Sequence, residues 1–217
     1  MAIAKYGMGL VAGSWIVFFI FLVLAVIIRQ PILTILAVLS GIFSIFNMFF
    51  FRDPERSIPA DENAVLSPAD GKVVEVVQEE NVQFFNEPVT RISIFLSVFN
   101  VHVNRVPFSG KVEHLEYRKG SFMAAFKPEA SGENEQTIIG IEGPGGRRVM
   151  FKQIAGLIAR RIICELREGY SVTAGDRMGM IRYGSRVDVF FPAGTAAAQV
   201  KVGQHVKGGE SVLGVFR

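Results

Sequence analysis

Only one cysteine, one tryptophan and three histidines occur in 217 residues. The lone thiol, Cys164 in RRIICELREG, excludes an internal disulfide and any metal site built from several cysteines, and it reads as a small buried apolar residue. His102, His114 and His205 are too dispersed for a close-spaced zinc pattern, so no metal is expected. Charge is missing in a more telling way: there is none from Gly7 to Ile28, and none from Gln30 to Phe51. Each run, as helix, can cross a hydrocarbon core about 30 Å thick, which takes roughly 20 apolar residues.

Only Arg29, Gln30 and Pro31 separate the two runs. Arg29 seeks water or headgroups, and Pro31 suits a turn or the first position of a second helix. Residues 1–51 are therefore expected to form a transmembrane helical hairpin; the alternative is one spanning helix followed by an interfacial or buried one. A cleavable signal peptide fits less well, because the first run exceeds the usual ~7–15 residues of an h-region and a second follows at once. Lys5 lies at one end of the hairpin, Arg52 and Arg56 at the other, and Arg29 alone in the loop. The positive-inside bias then puts both ends, and everything after Arg52, in the cytoplasm.

A pI of about 9.1 points to nucleic acid only until the charges are placed. Lys5 and Arg29 are the only charges before Arg52, which leaves the remainder near neutral. Nucleic acid is not an expected partner.

From 52 to 217 the pattern is that of a mainly β (α+β) soluble domain. LSPADGKVVEVVQ reads as a turn at Ala69-Asp70-Gly71 and then a strand, RISIFLSVFNVHVNRVPF as one or two strands ending at Pro107, and KVEHLEYR as another. GSFMAAFKPEASGENEQT reads as a loop with a short helical turn, and TIIGIEGPGGRRVMFKQIAGLIA as a hairpin around Gly143 to Gly146. ARRIICELREGYSV is expected to be mixed strand and helix. Glycines at 203, 208, 209 and 214 cut the C-terminal part into short strands with tight turns, as in small barrels and sandwich-like hybrids. Its VKVGQHVKGGESV stretch looks like the turns of biotinyl or lipoyl carrier domains, but lacks their lysine at a hairpin tip. That likeness supports a fold and not a carrier function.

Gly184-Ser185 in MIRYGSRVDVFFP carries the most distinctive chemistry. A serine hydroxyl behind the carbonyl of the preceding residue can attack it and move the acyl group from nitrogen to oxygen, and glycine at 184 leaves that carbonyl open to approach. Taken alone, the dipeptide reads as a turn. The second glycine of a Gly-x-Ser-x-Gly elbow is absent, which disfavours an α/β-hydrolase. His102, between Val101 and Val103, needs a partner or a task on so apolar a segment. Asp70 is both a natural Asp-Gly turn residue and a candidate to orient an imidazole. His114 alternates with Glu113 and Glu116 and reads as solvent-facing; His205 reads as exposed. Arg147, Arg148, Lys152, Arg160 and Arg161 suit either anionic headgroups or the ordinary charged face of a sheet.

FFRDPERSIP at 50–59, SPADGKV at 67–73, FLSVFNVHVNRVP at 95–107, and QIAGLIARRI at 153–162 followed by YGSRVDVFFP at 183–192 together resemble the phosphatidylserine decarboxylases in their short, membrane-anchored form. The resemblance runs from about Phe50 to the C-terminus. It implies a proenzyme that cuts itself between Gly184 and Ser185 into a larger chain, 1–184, and a small one, 185–217, which stay together as a heterodimer; a homo-oligomer is compatible with it. It also implies that Ser185 becomes a covalent pyruvoyl group, the sole cofactor, with no metal and no pyridoxal phosphate. Ser185, His102 and Asp70 are then the catalytic residues, and the partner is phosphatidylserine in the cell membrane. Many longer members carry a second histidine three residues after the first; here that position is Arg105, which stays protonated and is a candidate ligand for substrate phosphate or carboxylate. NEQT at 134–137 looks like a variant of a family loop. Two other functions are compatible with the sequence: archaetidylserine decarboxylation by the same chemistry, and a non-enzymatic membrane-tethered β-domain adaptor.

Overall fold

The computed structural model describes residues 2–80, 82–157, 161–182 and 184–217. They form two compact units, Met1–Pro54 and Glu55–Arg217.

In the first unit two helices, α1 (Met8–Ile28) and α2 (Pro31–Phe50), have mean hydropathies of 2.9 and 2.2 and are long and apolar enough to cross a membrane. Pro31 occupies the start of α2, where its missing N–H costs nothing, and Arg29 ends α1 in a left-handed conformation. The buried stripe of α2 is Ala37, Gly41, Ser44, Asn47 and Phe50, mostly small or polar, while large apolar side chains point outward. Small residues let helices approach where water gives no hydrophobic drive, and Gly41 accordingly sits against the Phe18 ring of α1. Ala2–Ile3 pairs with Arg52–Asp53, so the hairpin's two ends meet.

The second unit is mainly β, as its alternation implies. Its largest sheet has eight strands in the order Ser171–Val172, Gly110–Arg118, Gln136–Glu142, Arg148–Ile154, Ser185–Pro192, Val89–Leu96, Gly71–Glu79 and His205–Val206, with neighbours antiparallel. Two three-stranded sheets complete it, one joining Ile162–Cys164, Arg177–Ile181 and Val103–Arg105, the other Ala196–Ala198, Val212–Phe216 and Ala64–Leu66. The long apolar run ending at Pro107 is thus two strands with a turn between them. Between 161 and 172 the regular structure is strand, Ile162–Cys164 and Ser171–Val172, joined by a turn, so among the described residues the segment holds no helix.

Ser185–Pro192 lies in the middle of the large sheet and is buried throughout. Alternation sends Val187, Val189 and Phe191 into the main core with Ile92, Ile94 and Phe151, and sends Arg186 and Asp188 to the opposite face. There Arg186 donates to Asp188 at 2.6 Å, to Glu75 at 2.9 Å and to the Ser93 hydroxyl at 2.7 Å. Arg91 joins through Glu75 and Glu79, and Ser131 donates to Asp188. Burial works against charge on Arg91, yet Asp188, Glu79 and Glu75 more than offset it and raise its pKa. Lys152 is paired in register with Asp188 on the charged face of the sheet, one of the two places its charge suited; it is half-buried over the Phe190 ring, and burial pushes its pKa down. Arg147 and Arg148 are engaged by Asn63 and Glu142, and His114 is half-buried against Phe84 rather than solvent-facing. Cys164 packs partly buried against the core, and burial raises its thiol pKa.

Because Asp188 is fully buried between two arginines, Asp188→Ala leaves their charge under-compensated and should cost about 3–5 kcal/mol. Denaturant unfolding in detergent, compared with the native side chain at that position, measures it.

Candidate active site

Ser185 opens its strand opposite Leu96, fully buried, and its hydroxyl has no hydrogen-bond partner among the described residues. A buried polar atom left unmet costs free energy, and such atoms concentrate where function needs them. Gly184 precedes it at φ +82°, the left-handed region that favours glycine. A side chain at 184 would meet only ordinary contacts with Leu96 and Val98, so glycine is required here by backbone conformation and not by space.

His102 follows the turn Ser97–Asn100 and is fully buried. That turn is held by the Asn100 side chain, which accepts from the Ser97 N–H at 2.9 Å and from its hydroxyl at 2.8 Å. The turn presents the Asn100 carbonyl to His102 Nδ1 at 3.0 Å, while His102 Nε2 accepts from the Gly184 N–H at 3.2 Å. An amide can only donate and a carbonyl only accept, so these bonds select the neutral ring with its proton on Nδ1 and its lone pair on Nε2. A base-ready nitrogen therefore lies one peptide unit from Ser185. It is bonded to the backbone there and not to the serine hydroxyl.

Asp70 sits in the bend before Gly71–Glu79, and the structure does not join it to His102. Its carboxylate takes Arg56 Nη2 at 2.9 and 2.8 Å and the Gly208 N–H at 2.8 Å. The link to the histidine's neighbourhood is indirect: the same bend supplies the Pro68 carbonyl to the Arg105 N–H. Arg105 is buried, and its guanidinium donates to the Gly175 carbonyl at 2.8 Å. It is not among the residues lining the cavity beside Gly184.

That cavity, about 310 Å³, opens between Phe95–Val98, Ala124–Phe126, Leu157 and Gly184. Its walls are almost wholly apolar, and Phe126 and Leu157 are each 62 % exposed at its edge. Tyr183 and Arg160 lie outside the described residues. Among the described residues no group of three His, Cys, Asp or Glu side chains gathers as a metal site. Several supporting residues escape a reading of the sequence. Asn134 of the NEQT stretch bonds the Met123 N–H and carbonyl and the Ala155 carbonyl, tying the cavity wall to the QIAG segment. Arg186, next to Ser185, anchors the strand on its far face.

Comparison with known proteins gives the class first: the chain is a decarboxylase. More narrowly, it belongs to the phosphatidylserine decarboxylase family, whose model matches residues 43–214. It is 48 % identical over 181 residues to the phosphatidylserine decarboxylase proenzyme of Syntrophus aciditrophicus (strain SB), covering 83 % of this chain and 84 % of that one. It is 45 % identical over 214 residues to the proenzyme of Geobacter metallireducens (strain ATCC 53774 / DSM 7210 / GS-15), covering 99 % and 96 %. The proenzyme of Chlorobium phaeobacteroides (strain DSM 266 / SMG 266 / 2430) is 41 % identical over 212 residues, covering 98 % and 99 %. The family membership expected from the four motifs is thereby established.

If Asp70 acts by fixing its bend through Arg56, Asp70→Asn and Arg56→Met should lower the thermal midpoint by similar amounts. The double variant should then fall short of the sum, because contacting residues are not additive. A double-mutant cycle by thermal unfolding checks this.

Proposed function

We propose that this chain converts phosphatidylserine to phosphatidylethanolamine and carbon dioxide after cutting itself between Gly184 and Ser185. The observation that carries the reading is the buried, unpartnered Ser185 hydroxyl behind a left-handed glycine whose N–H bonds His102 Nε2. Ser185 Oγ attacks the Gly184 carbonyl carbon, the C–N bond breaks, and the acyl group passes to oxygen as an ester. His102 takes the hydroxyl proton, with Asn100 holding the ring's other nitrogen. Loss of the Ser185 Cα proton then expels the Gly184 carboxylate, leaving dehydroalanine; tautomerisation and hydrolysis release ammonia and give a pyruvoyl terminus. The residues present fit that group: a serine with a free hydroxyl, a neutral imidazole and an apolar cavity. When formed, the pyruvoyl carbonyl supplies an electron sink for a substrate amine as carbon dioxide departs.

His102 then serves the second stage by returning a proton to the substrate α-carbon. Phe126, Leu157 and Phe95 suit the apolar portion of a lipid, and exclude water from the developing carbanion. Arg105 receives no step, because its guanidinium is turned to Gly175. Asp70 acts through its bend, as a positioning residue. The apolar hairpin keeps the enzyme where its diacyl substrate resides, avoiding a cost of about 0.8 kcal/mol per CH₂ drawn into water. The positive-inside bias supports the cytoplasmic face. The fragments 1–184 and 185–217 stay joined, since strands of the small one pair on both sides with strands of the large one.

Ser185→Ala should give an uncut chain with no decarboxylation on a denaturing gel and a carbon dioxide release assay. A cut alanine variant would refute the serine chemistry. His102→Ala should slow at least one stage by about a hundredfold or more; wild-type cleavage with wild-type turnover would remove it from the site.

A further inference from the structure

Gly156, in the QIAG segment, has no assigned part, yet it lies against the bond that is to be cut. A Cβ built on it would stand 2.7 Å from the Gly184 carbonyl oxygen and 3.6 Å from its carbon, with the Ala125 Cβ 3.2 Å away. Its backbone is not among the positive-φ glycines, so any residue suits the conformation. What excludes a side chain is the scissile carbonyl itself.

Both sides of this contact are tethered. The residue before Gly156 is held at both polar groups: the Ala155 N–H donates to the Glu135 carbonyl at 2.9 Å, and the Ala155 carbonyl accepts from Asn134 Nδ2 at 2.8 Å. Asn134 is itself buried and bonded twice to Met123. Across the gap, Gly184 is held before its Cα by the bond of its N–H to His102, and after it by the pairing of Ser185 with Leu96. A methyl group at 156 therefore presses first on the Gly184 carbonyl oxygen, the nearest atom between these tethers, and turns that carbonyl from its present direction.

We infer that Gly156 is a positioning residue for self-cleavage: its bare Cα sets the orientation of the Gly184 carbonyl, and so the approach of Ser185 Oγ to the carbonyl carbon. Attack on a carbonyl is steeply sensitive to direction, and a displacement near 1 Å can cost about a hundredfold in rate. This inference rests on the proposed cleavage at Gly184-Ser185. It assigns Gly156 to the first step, acyl transfer from nitrogen to oxygen, and gives it no contact with the substrate.

The test uses the full chain in detergent. Gly156→Ala should slow precursor disappearance on a gel by about a hundredfold or more relative to the native chain, while Gly194→Ala, whose Cβ enters open space, should match the native chain. Hydroxylamine, which splits esters, should release no fragments from the stalled Gly156→Ala precursor, because the ester never forms. In a Ser185→Ala background, where no cut can occur, adding Gly156→Ala should leave the far-UV spectrum unchanged and the unfolding transition cooperative. A native chain that never cuts itself would defeat the cleavage reading. Native cleavage with equal cleavage of Gly156→Ala would defeat this inference alone. Ester accumulating in the variant would place the block at elimination, and loss of fold in the uncut background would make Gly156 a packing residue; either result overturns the assignment.

Discussion

Antiparallel pairing of Ser185–Pro192 with Val89–Leu96 on one side and Arg148–Ile154 on the other is the constraint on which the site depends. The register sets Ser185 opposite Leu96 and Arg186 opposite Ile154. A slip of one residue would exchange the two faces, carrying Arg186 and Asp188 into the apolar core and Val187 and Val189 among charges. Both faces are buried, so each specifies the register independently: the core through shape, the other through the Arg186, Asp188, Glu75 and Ser93 network. Buried ion pairs are doubtful sources of net stability but good determinants of a unique arrangement, and here the network begins at the residue after Ser185.

From that register the chemistry follows by geometry. The strand's first residue is the serine, and the left-handed glycine before it offers its N–H to His102 and its carbonyl to Gly156. Cutting the chain at 184 breaks none of the ladder, because every pairing of Ser185–Pro192 lies after the cut. The small fragment also contributes Val212–Phe216, paired with Ala64–Leu66, and His205–Val206, paired with Gly71–Glu79. A chain cut there would keep its new end in place.

Much of this was legible from residues alone, and the remainder was hidden for a definite reason. Two charge-free runs split by Arg29-Gln30-Pro31 declared the hairpin, since membrane length and the proline rule are local properties. Alternation found most strands, and Ser185, Gly184 and His102 stood out by residue type. The partners of those residues did not. Asp70 meets Arg56 and Gly208, across 14 and 138 positions, and Gly156 meets Gly184 through sheet closure rather than sequence proximity. Arg186 is among the most buried side chains, which its place beside a serine does not reveal. His114 was read as solvent-facing for a related reason: alternation tells which residues share a face, but not whether another element covers that face.

The most direct measurement is the intact mass of the small fragment released from purified full-length protein under denaturing conditions. Self-cleavage with conversion of Ser185 gives residues 185–217 lighter by one ammonia than the same peptide beginning with serine, and a further two hydrogens are gained on hydride reduction. A fully active preparation in which the chain runs uncut at 23.9 kDa, or in which the fragment starts with an unmodified serine, would contradict the account.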